Sequence, residues 1–124
     1  MKRDLDIIKD MNCNAVRGAH YPQSRTFLDY LDREGIMFWS EIPMWGYPPK
    51  ALADPLTIER GLNMHKEMLE QYFHHPSIVI WGLHNEIYTE TNEAYEITKL
   101  FSNFVRSNDD SRLITFATCR FDKD

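Results

Sequence analysis

Glu86 directly follows Asn85, and both come at the end of an apolar run, Ile78-Val79-Ile80-Trp81-Gly82-Leu83, with His84 between. A carboxylate in such a place is suited to proton transfer. The strand holds it rigidly, and neighbours such as Trp81 and Leu83 lower the local dielectric, which raises a carboxyl pKa toward the range where it donates a proton. Two other segments end in the same way. Arg17 and His20 follow the short stretch around Val16, and Glu41 closes Ile36-Met37-Phe38-Trp39-Ser40. Each has a plainer alternative. Glu86 could be a solvated loop acid. Glu41 could pair with Arg17 as a fixed charge pair between strand ends rather than meet a substrate. His20 could close the turn before Pro22. Trp45 and Tyr47, in a loop with Pro43, Pro48 and Pro49, offer either loop packing or a platform for a sugar ring.

Metal chemistry is not expected. His65, His74 and His75 lie on or at the end of a helix-patterned stretch without an HxxxH or HExxH spacing. Cys13 and Cys119 are too far apart in sequence for a CxxC site and form no disulfide framework.

The elements that must position these groups alternate. Residues 2–11 carry Leu5, Ile8 and Met11 at helical spacing, and residues 13–18 read as a short strand. Ser24 is a good N-cap for a helix with Phe27, Leu28 and Leu31 on one face, stopped at Gly35. Residues 36–42 form a second strand. Residues 57–74 form a helix ended at His75-Pro76, because the residue before proline resists the helical region. Residues 78–83 are a third strand, 92–106 a helix and 113–118 a last strand. Strands rich in Ile, Val and Trp without clean alternation fit a parallel sheet covered by helices. The pattern suits either a small open α/β sheet or half of an eight-stranded barrel, and in both the reactive groups belong at the carboxyl ends of the strands.

Composition narrows the function. The 124 residues are 43% hydrophobic, 13% aromatic and 27% charged, as in a globular chain rather than a disordered one. The net charge of −5, with no Lys/Arg run, argues against nucleic-acid binding, which rests on neutralising phosphates. No apolar run approaches the ~20 residues needed to cross a bilayer. Met1-Lys2-Arg3-Asp4 is followed by no apolar stretch typical of a signal peptide, and nothing else indicates localisation.

The stretch Met11-Asn12-Cys13-Asn14-Ala15-Val16-Arg17-Gly18-Ala19-His20-Tyr21-Pro22 resembles the NAVRxSHYP signature of glycoside hydrolase family 2, which includes β-galactosidases, β-glucuronidases and β-mannosidases. Phe27-Leu28-Asp29-Tyr30-Leu31-Asp32-Arg33-Glu34-Gly35-Ile36 resembles the family's FLDLCDELGI segment, with Trp39-Ser40-Glu41 at the next strand end. His75-Pro76-Ser77-Ile78-Val79-Ile80-Trp81-Gly82-Leu83-His84-Asn85-Glu86 resembles HPSVIIWSLGNE. The match covers about the first 90 residues, and more weakly the helix and strand beyond.

The resemblance implies a partial (β/α)8 TIM barrel, with the four strands here as its second to fifth. Residues 1–124 would then be a fragment of a glycosidase catalytic barrel. Glu86 falls on the family's general acid/base, and Asn85 on the residue beside it that contacts the sugar 2-hydroxyl. Arg17, His20 and Glu41 fall on active-site positions; Trp45 joins the candidate substrate contacts only from its place in the Pro-rich loop, not from the resemblance. Ser40 replaces the usual Asp, and His84 stands where Gly or Ala is common. The implied chemistry is retaining hydrolysis of a β-linked glycoside or oligosaccharide without a cofactor. Its nucleophile belongs to the seventh strand, beyond this chain; Glu90, Glu93 and Glu96 lie in the loop and helix after the third strand. The isolated chain is therefore expected to be inactive and, with bare sheet edges, to form a homo-oligomer. Two alternatives stand beside this: a barrel fragment of a β-mannanase- or cellulase-like retaining glycosidase, and a non-catalytic α/β interaction module.

Overall fold

The computed structural model describes residues 2–119. The elements run α1 (Lys2–Asp10), β1 (Ala15–Arg17), α2 (Arg25–Glu34), β2 (Met37–Glu41), α3 (Pro49–Leu52), α4 (Pro55–Tyr72), β3 (Ile78–Asn85), α5 (Asn92–Asn108) and β4 (Leu113–Ala117). The expected alternation is present, with element ends shifted by up to two residues: β1 is shorter than 13–18, α4 ends at Tyr72 and α5 runs on to Asn108. A short helix, α3, follows the Pro-rich loop. The next helix starts earlier than residue 57, because the Asp54 side chain accepts the Leu56 amide and Pro55 suits the first helical turn. The third strand runs two residues further than expected, to Asn85.

Local sequence accounts for the helix ends. Ser24 caps α2 by accepting the Phe27 amide, and Gly35 closes it at φ 68°, a left-handed conformation that costs glycine little. Thr91 caps α5 through the Ala94 amide. Among the described residues no helix is long and apolar enough to cross a membrane.

The sheet has order β1-β2-β3-β4 and every neighbouring pair is parallel. This order decides between the two architectures left open by the pattern. A doubly wound sheet reverses its strand order at a switch point; here the order simply advances, as in an arc of a singly wound barrel. Right-handed crossovers between successive neighbours place the helices on one face. The core lies between that face and the helices, with Phe38, Trp81, Leu83, Met68, Phe101 and Val105 buried. Burying side chains of this size contributes about 1.5–3 kcal/mol each. On the other face, the inner wall of the arc, Met37 and Leu113 are exposed.

Candidate active site at the strand ends

The carboxyl ends of β1, β2 and β3 bring four of the expected site residues together. Arg17 Nε and Nη2 donate to Glu41 Oε2 at 3.1 and 3.0 Å, and Nη2 also reaches Oε1 at 3.1 Å. His20 Nδ1 lies 2.9 Å from Glu41 Oε1. Arg17 Nη2 donates to Asn85 Oδ1 at 2.5 Å. Glu41 is fully buried, and Arg17 and His20 supply the positive and polar partners that a buried carboxylate requires. The charge pair between strand ends is therefore real, and it ties three adjacent strands across 68 residues of sequence.

Two residues missed by the sequence reading complete this wall. The Arg17 guanidinium stacks 4.3 Å from the centre of the Trp39 ring. Trp39 sits two residues before Glu41, so strand alternation alone puts both on the same face. Gly82 lies opposite them. A Cβ there would come 2.6 Å from Glu41 Cβ and closer still to Trp39 Nε1, so only glycine lets β3 approach. Ser40 points the other way, its hydroxyl 3.5 Å from Met68 Sδ in the core. The Ser in place of the usual Asp thus lies outside the site wall.

Asn85 is buried, and its Nδ2 has no hydrogen-bond partner among the described residues, because Arg17 engages only Oδ1. The loop after β2 is fastened beside it: the Asn85 amide donates to Met44 O at 2.8 Å, and the Gly46 amide to Asn85 O at 3.2 Å. Trp45 bridges to Asn85 through the backbone, while its side chain is 60% exposed. Tyr47 instead packs against the core. Of the two aromatics in this loop, Trp45 is the one presented to solvent.

Glu86 stands at the same strand end, and its amide donates to Ala117 O on β4 at 2.8 Å. Its φ of 51° is in the left-handed region, uncommon for a non-glycine residue and frequent at functional positions. The expected desolvation by Trp81 and Leu83 is not found. Trp81 faces the helix layer and donates from Nε1 to Asp109 at 2.7 Å, Leu83 is in the core, and Glu86 is exposed. Consecutive strand residues point to opposite faces, so apolar neighbours in sequence need not surround a carboxylate in space.

Among the described residues, Asp29, Asp32 and His75 have donor atoms close enough to share an ion, all within 4.8 Å. Hydrogen bonds account for that grouping: Asp32 accepts from the Ser77 amide at 2.8 Å and sits 2.6 Å from His75 Nδ1. They belong to the opposite end of the sheet. A hollow of 440 Å³ between Leu52, Ile58, Ile97 and Leu100 lies in the helix layer and contains none of the expected site residues. A smaller one of 250 Å³ runs along Arg17, Met37, Trp39 and Ile80 on the inner wall.

Residues 1–123 match the family model of the TIM barrel domain of glycosyl hydrolases family 2. The chain belongs to glycoside hydrolase family 2. It is 34% identical over 121 residues to a β-glucuronidase of Bacteroides fragilis, an alignment covering 94% of this chain and 17% of that protein. It is 36% identical over 83 residues to a β-galactosidase of Thermoanaerobacterium thermosulfurigenes, covering 66% of this chain and 11% of the relative. The family 2 β-galacturonidase of Eisenbergiella tayi, solved with galacturonate bound, superposes with a TM-score of 0.92 at 33% identity, over 97% of this chain and 22% of that one. The chain thus spans between about a tenth and about a fifth of the length of these family 2 relatives, as a four-stranded arc of the barrel.

Proposed function

We propose that this chain is part of the catalytic barrel of a retaining β-glycosidase and carries its acid/base, Glu86. The observation that carries the reading is the unpartnered Nδ2 of buried Asn85. The Arg17–Glu41 pair fixes the amide by its oxygen, and the donor left over is the group a sugar 2-hydroxyl needs. Glu86, the next residue, follows at the mouth. Arg17, His20 and Glu41 form the supporting wall, and Trp45 supplies an exposed face for the sugar or its leaving group.

In the first step the Glu86 carboxyl gives its proton to the glycosidic oxygen as the bond to the anomeric carbon breaks. A second carboxylate, about 5–5.5 Å away, attacks that carbon to form a glycosyl-enzyme. In the second step Glu86, now a carboxylate, takes a proton from the water that releases the sugar. The second carboxylate belongs to a strand outside this chain, so the isolated 124 residues do not turn over glycosides. In isolation their bare inner wall and sheet edges associate, giving a homo-oligomer; light scattering that finds only a monomer counts against this. Within the longer protein the remaining barrel strands cover the same face. The substrate is a β-linked glycoside, and the relatives' named activities make glucuronides, galacturonides and galactosides the first to test.

The experiment is done on the full-length protein with that panel of 4-nitrophenyl substrates. Glu86→Gln should abolish hydrolysis of phenyl glycosides and spare the first step for 2,4-dinitrophenyl glycosides, whose leaving group needs no protonation. Azide should restore turnover by replacing the base-assisted water, giving a glycosyl azide. Unchanged hydrolysis of phenyl glycosides by Glu86→Gln rejects the assignment.

A further inference from the structure

At the mouth of the site β3 carries one residue more than β4. Between the Gly82–Thr115 pair and the Asn85–Ala117 pair there are three steps along β3 and two along β4. An extra residue of this kind is a bulge, and it reverses the face of every side chain beyond it. Strict alternation from Gly82, which faces the inner wall, would send Leu83 outward, His84 inward and Asn85 outward. The observed order is different. Leu83 is in the core, His84 is also on the helix side, and Asn85 reaches Arg17 on the inner wall.

Leu83 and His84 together stand against Phe116 in the bulge; His84 is the one that departs from alternation, and it is anchored. It is fully buried, its ring lies 4.8 Å from that of Phe116 on β4, and its Nε2 is 2.8 Å from Thr98 Oγ1 on α5. The Thr98 hydroxyl donates to Ala94 O at 2.6 Å, so its oxygen accepts from Nε2–H. Nδ1 is buried without a partner among the described residues, and burial pushes the ring's pKa down to about 4. The imidazole is a neutral strut between strand and helix.

We infer that His84 is a positioning residue for the proposed acid/base: its anchorage on Thr98 holds the bulge that turns Asn85, and Glu86 after it, toward the barrel mouth. The inference rests on the assignment of Glu86 as acid/base and adds that its placement is set from behind, by α5. A glycine or alanine at position 84 has no side chain to make this bond, so the strut is a property of this chain's own sequence.

The test compares phenyl and 2,4-dinitrophenyl β-glycosides in the full-length enzyme. His84→Leu and Thr98→Val should each lower kcat/KM for the phenyl glycoside about tenfold, a part of the roughly 10²–10⁴-fold that acid/base assistance supplies, and that for the dinitrophenyl glycoside less than about twofold. His84→Gln, which can still donate to Thr98, should recover most of the loss. Equal losses on both substrates mean that His84 only packs, and overturn the inference, as do unchanged rates. Thr98→Val is nearly isosteric and carries the test if His84→Leu does not fold. Glu86→Gln is measured alongside. If it leaves the phenyl glycoside rate intact, the acid/base assignment itself has failed and there is nothing for His84 to position. If Glu86→Gln behaves as proposed and the His84 and Thr98 variants do not discriminate, only the positioning role is lost.

Discussion

The two ends of the sheet each hold a buried carboxylate whose oxygens are both engaged, yet they are built for different ends. At the amino end Asp109 accepts from Ser111, Trp81 Nε1 and Arg112. Arg112 also donates to Phe73 O and Ile78 O and stacks on Phe73 and Trp81. At the carboxyl end Glu41 is held by Arg17 and His20, whose side chains are 31% and 44% exposed, and the network ends on an Asn85 donor with no partner. The amino-end network locks α4, β3 and β4 together through a mostly buried cation. The carboxyl-end network leaves cation and imidazole partly exposed at the inner wall, with the buried Asn85 amide donor unpaired among the described residues beside them. The lesson is that saturation of a carboxylate does not distinguish structure from function; what its donors still face does.

Four experiments break or sharpen this contrast. The largest effect is expected at Asp109. Its Ala variant strands Arg112 and the Trp81 indole and should cost about 3–5 kcal/mol in urea unfolding, with activity per folded molecule kept. Loss of activity without loss of stability would erase the contrast. At the other end Arg17→Met leaves the fully buried Glu41 without its cation and should cost about 3 kcal/mol. Glu41→Gln leaves an Arg17 that water can reach and should cost about 1 kcal/mol, while both lower activity. A double-mutant cycle measures the asymmetry; equal costs would reject it.

The third experiment is a pH series. Burial pushes the pKa of His65 down to about 3 and that of His84 to about 4, against an unfolded value near 6.5. The unfolded chain therefore binds protons that the folded one refuses, and stability falls as pH drops below about 6.5. Each histidine should remove about 2 kcal/mol between pH 7 and pH 5. Asp32 and Asp109 act lower. Burial alone would raise their pKa values, but hydrogen bonds from Ser77 and His75 to Asp32, and from Ser111, Trp81 and Arg112 to Asp109, outweigh it and hold both below the usual range. Their contribution is present above about pH 4 and lost as pH falls through the folded values. Denaturant titrations of the wild type and His65→Leu at pH 7, 5 and 4 check this; an identical pH 7-to-5 loss in both would remove His65 from the account. The smallest effect belongs to the exposed Lys9–Glu34 pair, where Lys9→Ala should leave the melting temperature unchanged within error.

Much of the fold is legible locally. Ser24 and Gly35 mark the ends of α2, and the β-branched runs at 36–42 and 78–83 mark strands, because capping and burial patterns depend on near neighbours in sequence. Trp39 was legible in principle from its place two residues before Glu41. Other parts were not. The Pro-rich loop carries no local sign of α3, and closeness in sequence sets Trp81 beside Glu86 although its indole serves Asp109.

The amino-acid sequence by itself determined the order of strands and helices, the polar residues at the strand ends and the family motifs, since these are properties of contiguous segments. Only the tertiary structure decided that Glu41 binds both Arg17 and His20, that Ser40 turns away into the core, and that His84 and Asn85 exchange the faces alternation assigns them. The physical reason is that one extra residue reverses the parity of a strand. Whether β3 carries that residue is fixed by its pairing with β4 some thirty residues away, which no local pattern contains.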